Sequence, residues 1–177
     1  MIVPKPRKRD EFRMTVDCHC RYANSQFQPA AGFLSILEVN FQHLEKAAWF
    51  SSLDAFKGFW QFPLAEESQE VYSFLTELGV FIPTRLIQGN SDSAHAFQAG
   101  MMEVLEDILY ICVLVWIDDI LVYNRSFEDL LTRLEEVFQR LRKFHVKLNP
   151  HKTNLCSKAM TSCGRKCMLK VSSSIQR

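Results

Sequence analysis

The chain has 177 residues, 47% hydrophobic and 23% charged, enough for one domain with a buried core and too apolar for a disordered segment. A net charge of +1 excludes little, but the charge is unevenly placed. Eight basic residues face six acidic ones in 1–59, two face twelve in 60–130, and eleven face two in 131–177. An acidic centre between basic ends suits cation binding in the middle and phosphate contacts at the edges. The longest apolar run stops at Asp118, too short for a bilayer span, and Met1–Arg9 is charged with no apolar stretch after it. No membrane contact and no secretory leader are therefore expected, and the setting expected is intracellular, cytoplasmic or nuclear. The six cysteines then read as free thiols, and Cys18-His19-Cys20 lacks a second Cys/His pair at zinc-finger spacing.

Residues 4–11 are rich in Pro and charge and read as a loop, and Phe12–Asp17 alternates apolar and polar residues as a strand does. Asn24, Ser25, Pro29 and Gly32 mark turns, and Leu37, Phe41 and Leu44 recur at helical spacing. Trp49–Leu53 reads as a buried strand ending in Asp54, followed at once by an aromatic turn, Gly58–Pro63. Val71–Leu75 and Val80–Arg85 flank Glu77-Leu78-Gly79 as a hairpin, the glycine supplying the positive φ of a short loop. Ser91 or Asp92 can cap a helix running to about Ile108 that buries Phe97, Met101, Val104 and Leu105.

Leu109–Asn124 dominates the pattern. Two apolar runs flank the adjacent carboxylates Asp118 and Asp119, which read as the turn of a buried hairpin. Two acids there are costly unless neutralised, and a hard divalent cation takes carboxylate oxygens readily, although Asp is also plain turn chemistry. Asp54 is the third carboxylate that favours the cation. Ser126–Asp129 resembles a capping box, and the helix it opens places Leu130, Leu134, Val137, Leu141 and Phe144 on one face, with Leu148-Asn149-Pro150 ending the region. The class expected is α+β, an antiparallel sheet with helices packed on one face.

Four stretches come in register: Arg13–Asp17, Ser-Leu-Asp-Ala-Phe-Lys-Gly-Phe-Trp-Gln at 52–61, Ile-Gln-Gly-Asn-Ser-Asp-Ser-Ala-His-Ala-Phe-Gln at 87–98, and Trp-Ile-Asp-Asp at 116–119. Together they resemble the reverse transcriptase of gypsy-type LTR retrotransposon Pol polyproteins, over about residues 3–166. The resemblance implies a polymerase palm with partial fingers in 1–166 and RNA-directed DNA polymerisation: transfer of dNTPs to a primer 3′-OH on an RNA or DNA template. It implies two Mg²⁺ ions, or Mn²⁺, with Asp54 and Asp118 bridging them and Asp119 completing the cluster. Phe59 matches the aromatic gate against a ribose 2′-OH, Gln88 the position beside the nucleotide, and Arg13 the fingers arginine on the triphosphate. Lys5 and Lys8 compete for the accompanying lysine, with Lys8 taken alongside Arg13. Lys152 matches a lysine that protonates the leaving pyrophosphate, set against a plain surface lysine.

Three departures qualify the likeness. Trp116 stands where the family carries Tyr, keeping an aromatic contact to the template–primer but no hydroxyl. Two residues look inserted between Asp17 and Arg21. Residues 167–177 diverge where family members continue into a primer grip, a thumb, a connection and RNase H, which the reading takes as absent. The remaining Pol domains or a dimer partner are then expected to supply duplex contacts, and the alternative is a catalytically inactive remnant that keeps only the palm fold.

Overall fold

The computed structural model describes residues 2–5, 8–15, 44, 47–162 and 165–168. Their elements, in chain order, are strands β1 (Ile2–Lys5), β2 (Lys8–Met14) and β3 (Trp49–Asp54), helix α1 (Glu66–Gln69), strands β4 (Phe74–Thr76) and β5 (Gly79–Phe81), and helix α2 (Ser91–Val104). Strands β6 (Val113–Trp116) and β7 (Asp119–Asn124), helix α3 (Phe127–Lys143), and strands β8 (Asn154–Ser157), β9 (Ala159–Ser162) and β10 (Arg165–Met168) follow. Two compact units divide the chain, Met1–Phe33 with Lys57–Gly100, and Leu34–Phe56 with Met101–Arg177. The class is α+β, as the alternation of patterns indicates.

In the first unit the charged stretch expected to be a loop is largely strand: β1 and β2 pair antiparallel, Ile2 opposite Met14 and Pro4 opposite Phe12. Backbone bonding does not require apolar side chains, so Lys and Arg hid the period-two signal. The expected strand at Phe12–Asp17 is described as far as Met14, and Val16 and Asp17 lie outside the described residues, as do the turn at 24–32 and the helix around Leu37 and Phe41. The hairpin of β4 and β5 forms with Thr76 opposite Gly79, so Glu77 and Leu78 make the turn and Gly79, at φ +126°, opens the return strand. Elsewhere in the unit Leu64, Tyr72, Leu86, Ile87 and Phe97 are buried. Phe62 meets Phe97 edge-on at 4.9 Å, and the Phe62 ring leaves no room for a Cβ at Gly100 of α2. The first turn of α2 contains both proposed caps, and the side chain that accepts from it is that of Asn90, from the Asp92 amide at 3.3 Å. The helix stops at Val104, and a separate 3-10 turn, Glu106–Ile108, finishes the stretch expected to be helical.

The second unit is built on one antiparallel sheet of order β6-β7-β3-β8. Side chains alternate across it. Phe50, Leu114, Leu121 and Tyr123 form one face, closed at its far end by Leu44 and Ala47. The opposite parity carries Leu53, Val113, Val115, Ile120 and Val122, all buried, on the side where α3 packs and Trp49 meets Phe127 at 5.0 Å. The amphipathic pattern dictates α3: Leu130, Leu134, Val137 and Leu141 are buried, and Ser126 Oγ accepts from the Asp129 amide as the N-cap. Glu128 and Asp129 in its first turn and Arg140, Arg142 and Lys143 in its last suit the helix dipole. Phe144, expected on the buried face, is the exposed C-cap. Cys112 and Cys156 are free thiols, as expected.

Beyond α3 the chain returns along the end of β3, with Phe56 N–H donating to Lys147 O and Asn149 N–H to Asp54 O. Strand β8 then pairs with β3 irregularly: Phe50 faces Ser157 and Ser52 faces Asn154, with Cys156 at φ +55°. Cys156 N–H finds its acceptor in the hydroxyl of Ser51, a fully buried residue, at 3.0 Å. Ser51→Ala leaves that amide without its partner, which costs about 1–3 kcal/mol. Urea denaturation should show the midpoint falling accordingly, and an unchanged midpoint would mean that the ladder alone holds the bulge.

Candidate active site

Three facts of backbone geometry assemble the acidic site in the second unit. Strands β3 and β7 pair in the register Asp54 opposite Asp119, and β6 pairs with β7 so that Trp116 stands opposite Asp119 from the other side. Cross-strand partners point to the same face, so Asp54, Asp119 and Trp116 share the face away from α3. Ala55 N–H donates to Asp118 O at 2.9 Å, which ties the hairpin tip to the end of β3. The tip differs by one residue from the expected Asp118-Asp119 turn. Ile117 and Asp118 make it, and Asp119 is the first residue of β7. Ile117 sits at φ +52°, a conformation strongly disfavoured for a β-branched residue and costing of order 1–3 kcal/mol.

The electrostatics follow from this packing. Asp54 is buried, and its Oδ2 accepts from Lys152 Nζ at 2.7 Å. Lys152 itself is mostly exposed, and its pKa is raised chiefly by that hydrogen bond to Asp54 against the opposing effect of burial, with the charges of Asp54, Asp118 and Asp119 adding to the rise. Asp119 is half-buried, and its pKa is pushed up to about 6 by burial first, then by the negative charges of Asp118 and Asp54, with Lys152 pulling the other way. Three carboxylates thus feel one another, with the Lys152 ammonium beside them. Among the described residues no set of three acidic, His or Cys side chains closes into a metal cage. The donor set nevertheless fits a hard divalent cation: it is all oxygen, it carries excess negative charge, and an ammonium already occupies one carboxylate.

The remaining residues singled out in the sequence belong to the first unit. Arg13 and Lys8 lie in β2, opposite Val3 and Lys5 respectively. Phe59 lies in a 3-10 turn, Gly58–Gln61, half-buried with its ring 5.3 Å from that of Phe97. Gln88 is half-buried in the segment before α2. The structure therefore gathers Asp54, Asp118, Asp119, Lys152 and Trp116 in one unit and places Arg13, Lys8, Phe59 and Gln88 in the other. Two supporting residues escaped the sequence reading, Ser51 and Asn149. The signal for the first was a polar residue in an apolar strand; Asn149 looked like no more than the start of a Pro turn.

The reverse transcriptase (RNA-dependent DNA polymerase) family model matches residues 3–168. The retrovirus-related Pol polyprotein from transposon 412 of Drosophila melanogaster is 29% identical over 171 residues, 94% of this chain and 14% of that protein. The corresponding polyprotein from transposon gypsy is 28% identical over 123 residues, 69% of this chain and 12% of that protein. Among solved structures, the foamy viral protease-reverse transcriptase in complex with RNA/DNA hybrid matches with TM-score 0.81 at 26% identity, over 94% of this chain and 22% of that one. The same enzyme, dRH, in complex with ds DNA matches with TM-score 0.80 at 26% identity, over 94% of this chain and 28% of that one. The α+β architecture is that of a palm-type polymerase. The chain spans less than a third of each of these relatives.

The raised pKa of Asp119 has a consequence in cation-free buffer. Between the ordinary carboxylate value near 3.8 and about 6, the folded chain holds a proton that the unfolded chain has released. Stability therefore falls as pH rises through that window and levels off above it. Asp119→Asn should flatten this slope and raise the thermal midpoint at neutral pH, as read by thermal unfolding in EDTA across the window. Equal slopes in the two proteins would assign the effect to another group.

Proposed function

The chain belongs to the reverse transcriptase (RNA-dependent DNA polymerase) family, and from that premise we propose that it carries the nucleotidyl-transfer centre of an RNA-directed DNA polymerase. A primer 3′-OH attacks the α-phosphate of a dNTP paired to an RNA or DNA template, and pyrophosphate leaves. The observation that carries the reading is the β3–β7 register, which brings Asp54 opposite Asp119 with Asp118 beside them. Asp54, Asp118 and Asp119 would hold two divalent cations, Mg²⁺ or Mn²⁺, which supply charge neutralisation on the attacking and leaving oxygens.

The chain's own residues do the rest. Lys152 stands beside the acidic cluster, charged at neutral pH, and delivers a proton to the departing pyrophosphate. Trp116, cross-strand neighbour of Asp119, supplies a flat apolar surface to the primer–template. In the first unit, Arg13 and Lys8 bind triphosphate oxygens, Gln88 contacts the nucleotide, and Phe59 excludes a ribose 2′-OH. A tilted contact with the Phe97 ring, 5.3 Å between centroids, holds the Phe59 ring in place. The fold is shared with enzymes solved on ds DNA and on RNA/DNA hybrid, which supports duplex nucleic acid as the partner here. Among the described residues no helix is long and apolar enough to cross a membrane.

Primer extension on poly(rA)/oligo(dT) with Mg²⁺ or Mn²⁺ tests the reading. Extension by the parent is expected, with Asp118→Asn slower by at least about 10³-fold, or roughly 4 kcal/mol in the barrier. A variant as active as the parent would remove Asp118 from the centre. A folded parent that never extends would instead favour a chain that keeps the fold without turnover. Phe59→Val, in an active background, should raise ribonucleotide incorporation relative to deoxynucleotide, and unchanged sugar selectivity would reduce Phe59 to a packing partner of Phe97.

A further inference from the structure

We propose that Lys152 is a resident counter-ion of Asp54 that competes with a divalent cation for the same carboxylate, and so sets how tightly the acidic cluster holds metal. The inference rests on the reading of Asp54, Asp118 and Asp119 as a cation site and goes beyond it, because it assigns Lys152 a role before any substrate is bound.

The geometry is specific about which part of Lys152 can move. Its backbone belongs to a turn fixed to Asp54 itself: Asn149 N–H donates to Asp54 O at 2.8 Å, and Asn149 O accepts from the amides of Lys152 at 3.2 Å and Thr153 at 3.1 Å. Asn149 O also accepts from Thr153 Oγ1 at 2.8 Å, and Asn149 Oδ1 accepts from His151 N–H at 3.1 Å. The base of the side chain is therefore held while its stem is free. The Lys152 side chain is 62% exposed, whereas that of Asp54 is 10% exposed.

That asymmetry decides what happens to the pair. A buried carboxylate beside two others needs a positive charge, and the ammonium at 2.7 Å from Oδ2 supplies it. A hard cation would claim the same oxygens and repel the ammonium at that distance. Asp54 cannot leave the sheet, but Lys152 can swing into solvent about its four-carbon stem at little cost. Lys152 thus neutralises part of the cluster while it is empty and gives up Oδ2 when the cluster fills. Removing the ammonium should make the empty site less stable and more avid.

Calorimetric titration of Mn²⁺ into the whole chain, without nucleic acid, tests this. Lys152→Met should bind Mn²⁺ about three- to tenfold more tightly than the parent, the size set by the mostly exposed position of the ammonium. Lys152→Arg, which keeps the charge, should stay near the parent. In EDTA the thermal midpoint of Lys152→Met should lie below the parent, and saturating Mn²⁺ should close the gap. Equal or weaker Mn²⁺ binding by Lys152→Met would overturn the competition while leaving the cation site standing. Mn²⁺ binding by Asp118→Asn equal to the parent's would remove the carboxylate site itself, and the counter-ion role with it.

Discussion

The register between β3 and β7 is the constraint on which the rest depends. Six consecutive cross-strand pairs, from Trp49 opposite Asn124 to Asp54 opposite Asp119, lock the two central strands of the sheet. A slip of one residue would put Leu53 and Ile120 on opposite faces, turning one of them out of the α3 side, and would part Asp54 from Asp119 in the same way. The apolar core and the acidic cluster are therefore fixed by the same alignment. Burial of Phe50, Leu53, Ile120 and Val122 stabilises the pairing, and the pairing then holds like charges together that would otherwise separate.

The two faces of this sheet divide the labour. On one, α3 lays Leu130, Leu134, Val137 and Leu141 over the alternate residues of the strands. On the other, Leu44 and Ala47 close the cluster of Phe50, Leu114, Leu121 and Tyr123 at one end, while Asp54, Asp119 and Trp116 stand at the opposite end of the same strands. Lys152 reaches Asp54 there from solvent, at the end of a turn hydrogen-bonded to Asp54. Packing over the whole of one face and over one end of the other leaves the remaining end to carry polar chemistry without exposing the core.

Most of this arrangement was legible in the sequence, for reasons that are local. The apolar runs around Asp118, the strand ending in Asp54 and the 3.6-residue stripe of α3 each carry their signal in adjacent residues. What escaped is set by distant partners or by single backbone angles. The β1–β2 hairpin pairs charged residues through their backbones, which no hydrophobic period reveals. Strands β8, β9 and β10 were not foreseen, and β8 exists through pairing with β3, including a bulge held by Ser51 about a hundred residues earlier. The hairpin tip was misplaced by one residue because Asp is the better turn former. The register nevertheless puts Ile117, at positive φ, where a small residue would be at ease. Arg13, Lys8, Phe59 and Gln88 come from the family pattern, and their proposed place around the nucleotide rests on that pattern alone.

Strain at Ile117 and crowded charge at Asp119 stand side by side at the hairpin tip, and neither helps the fold. A chain shaped by stability alone would place a glycine at 117 and an apolar or amide side chain at 119, since both changes relieve a local penalty. On the proposed reading of a cation centre, the costly pair is kept where Asp54, Asp118 and Asp119 converge because a cation needs the charge that the fold would rather lose. The apolar stretch from Val113 to Tyr123 offsets this locally by burying nearly every side chain outside the tip. The surplus stability of the two strands and the instability of their connection are thus a single design, with the first making the second tolerable.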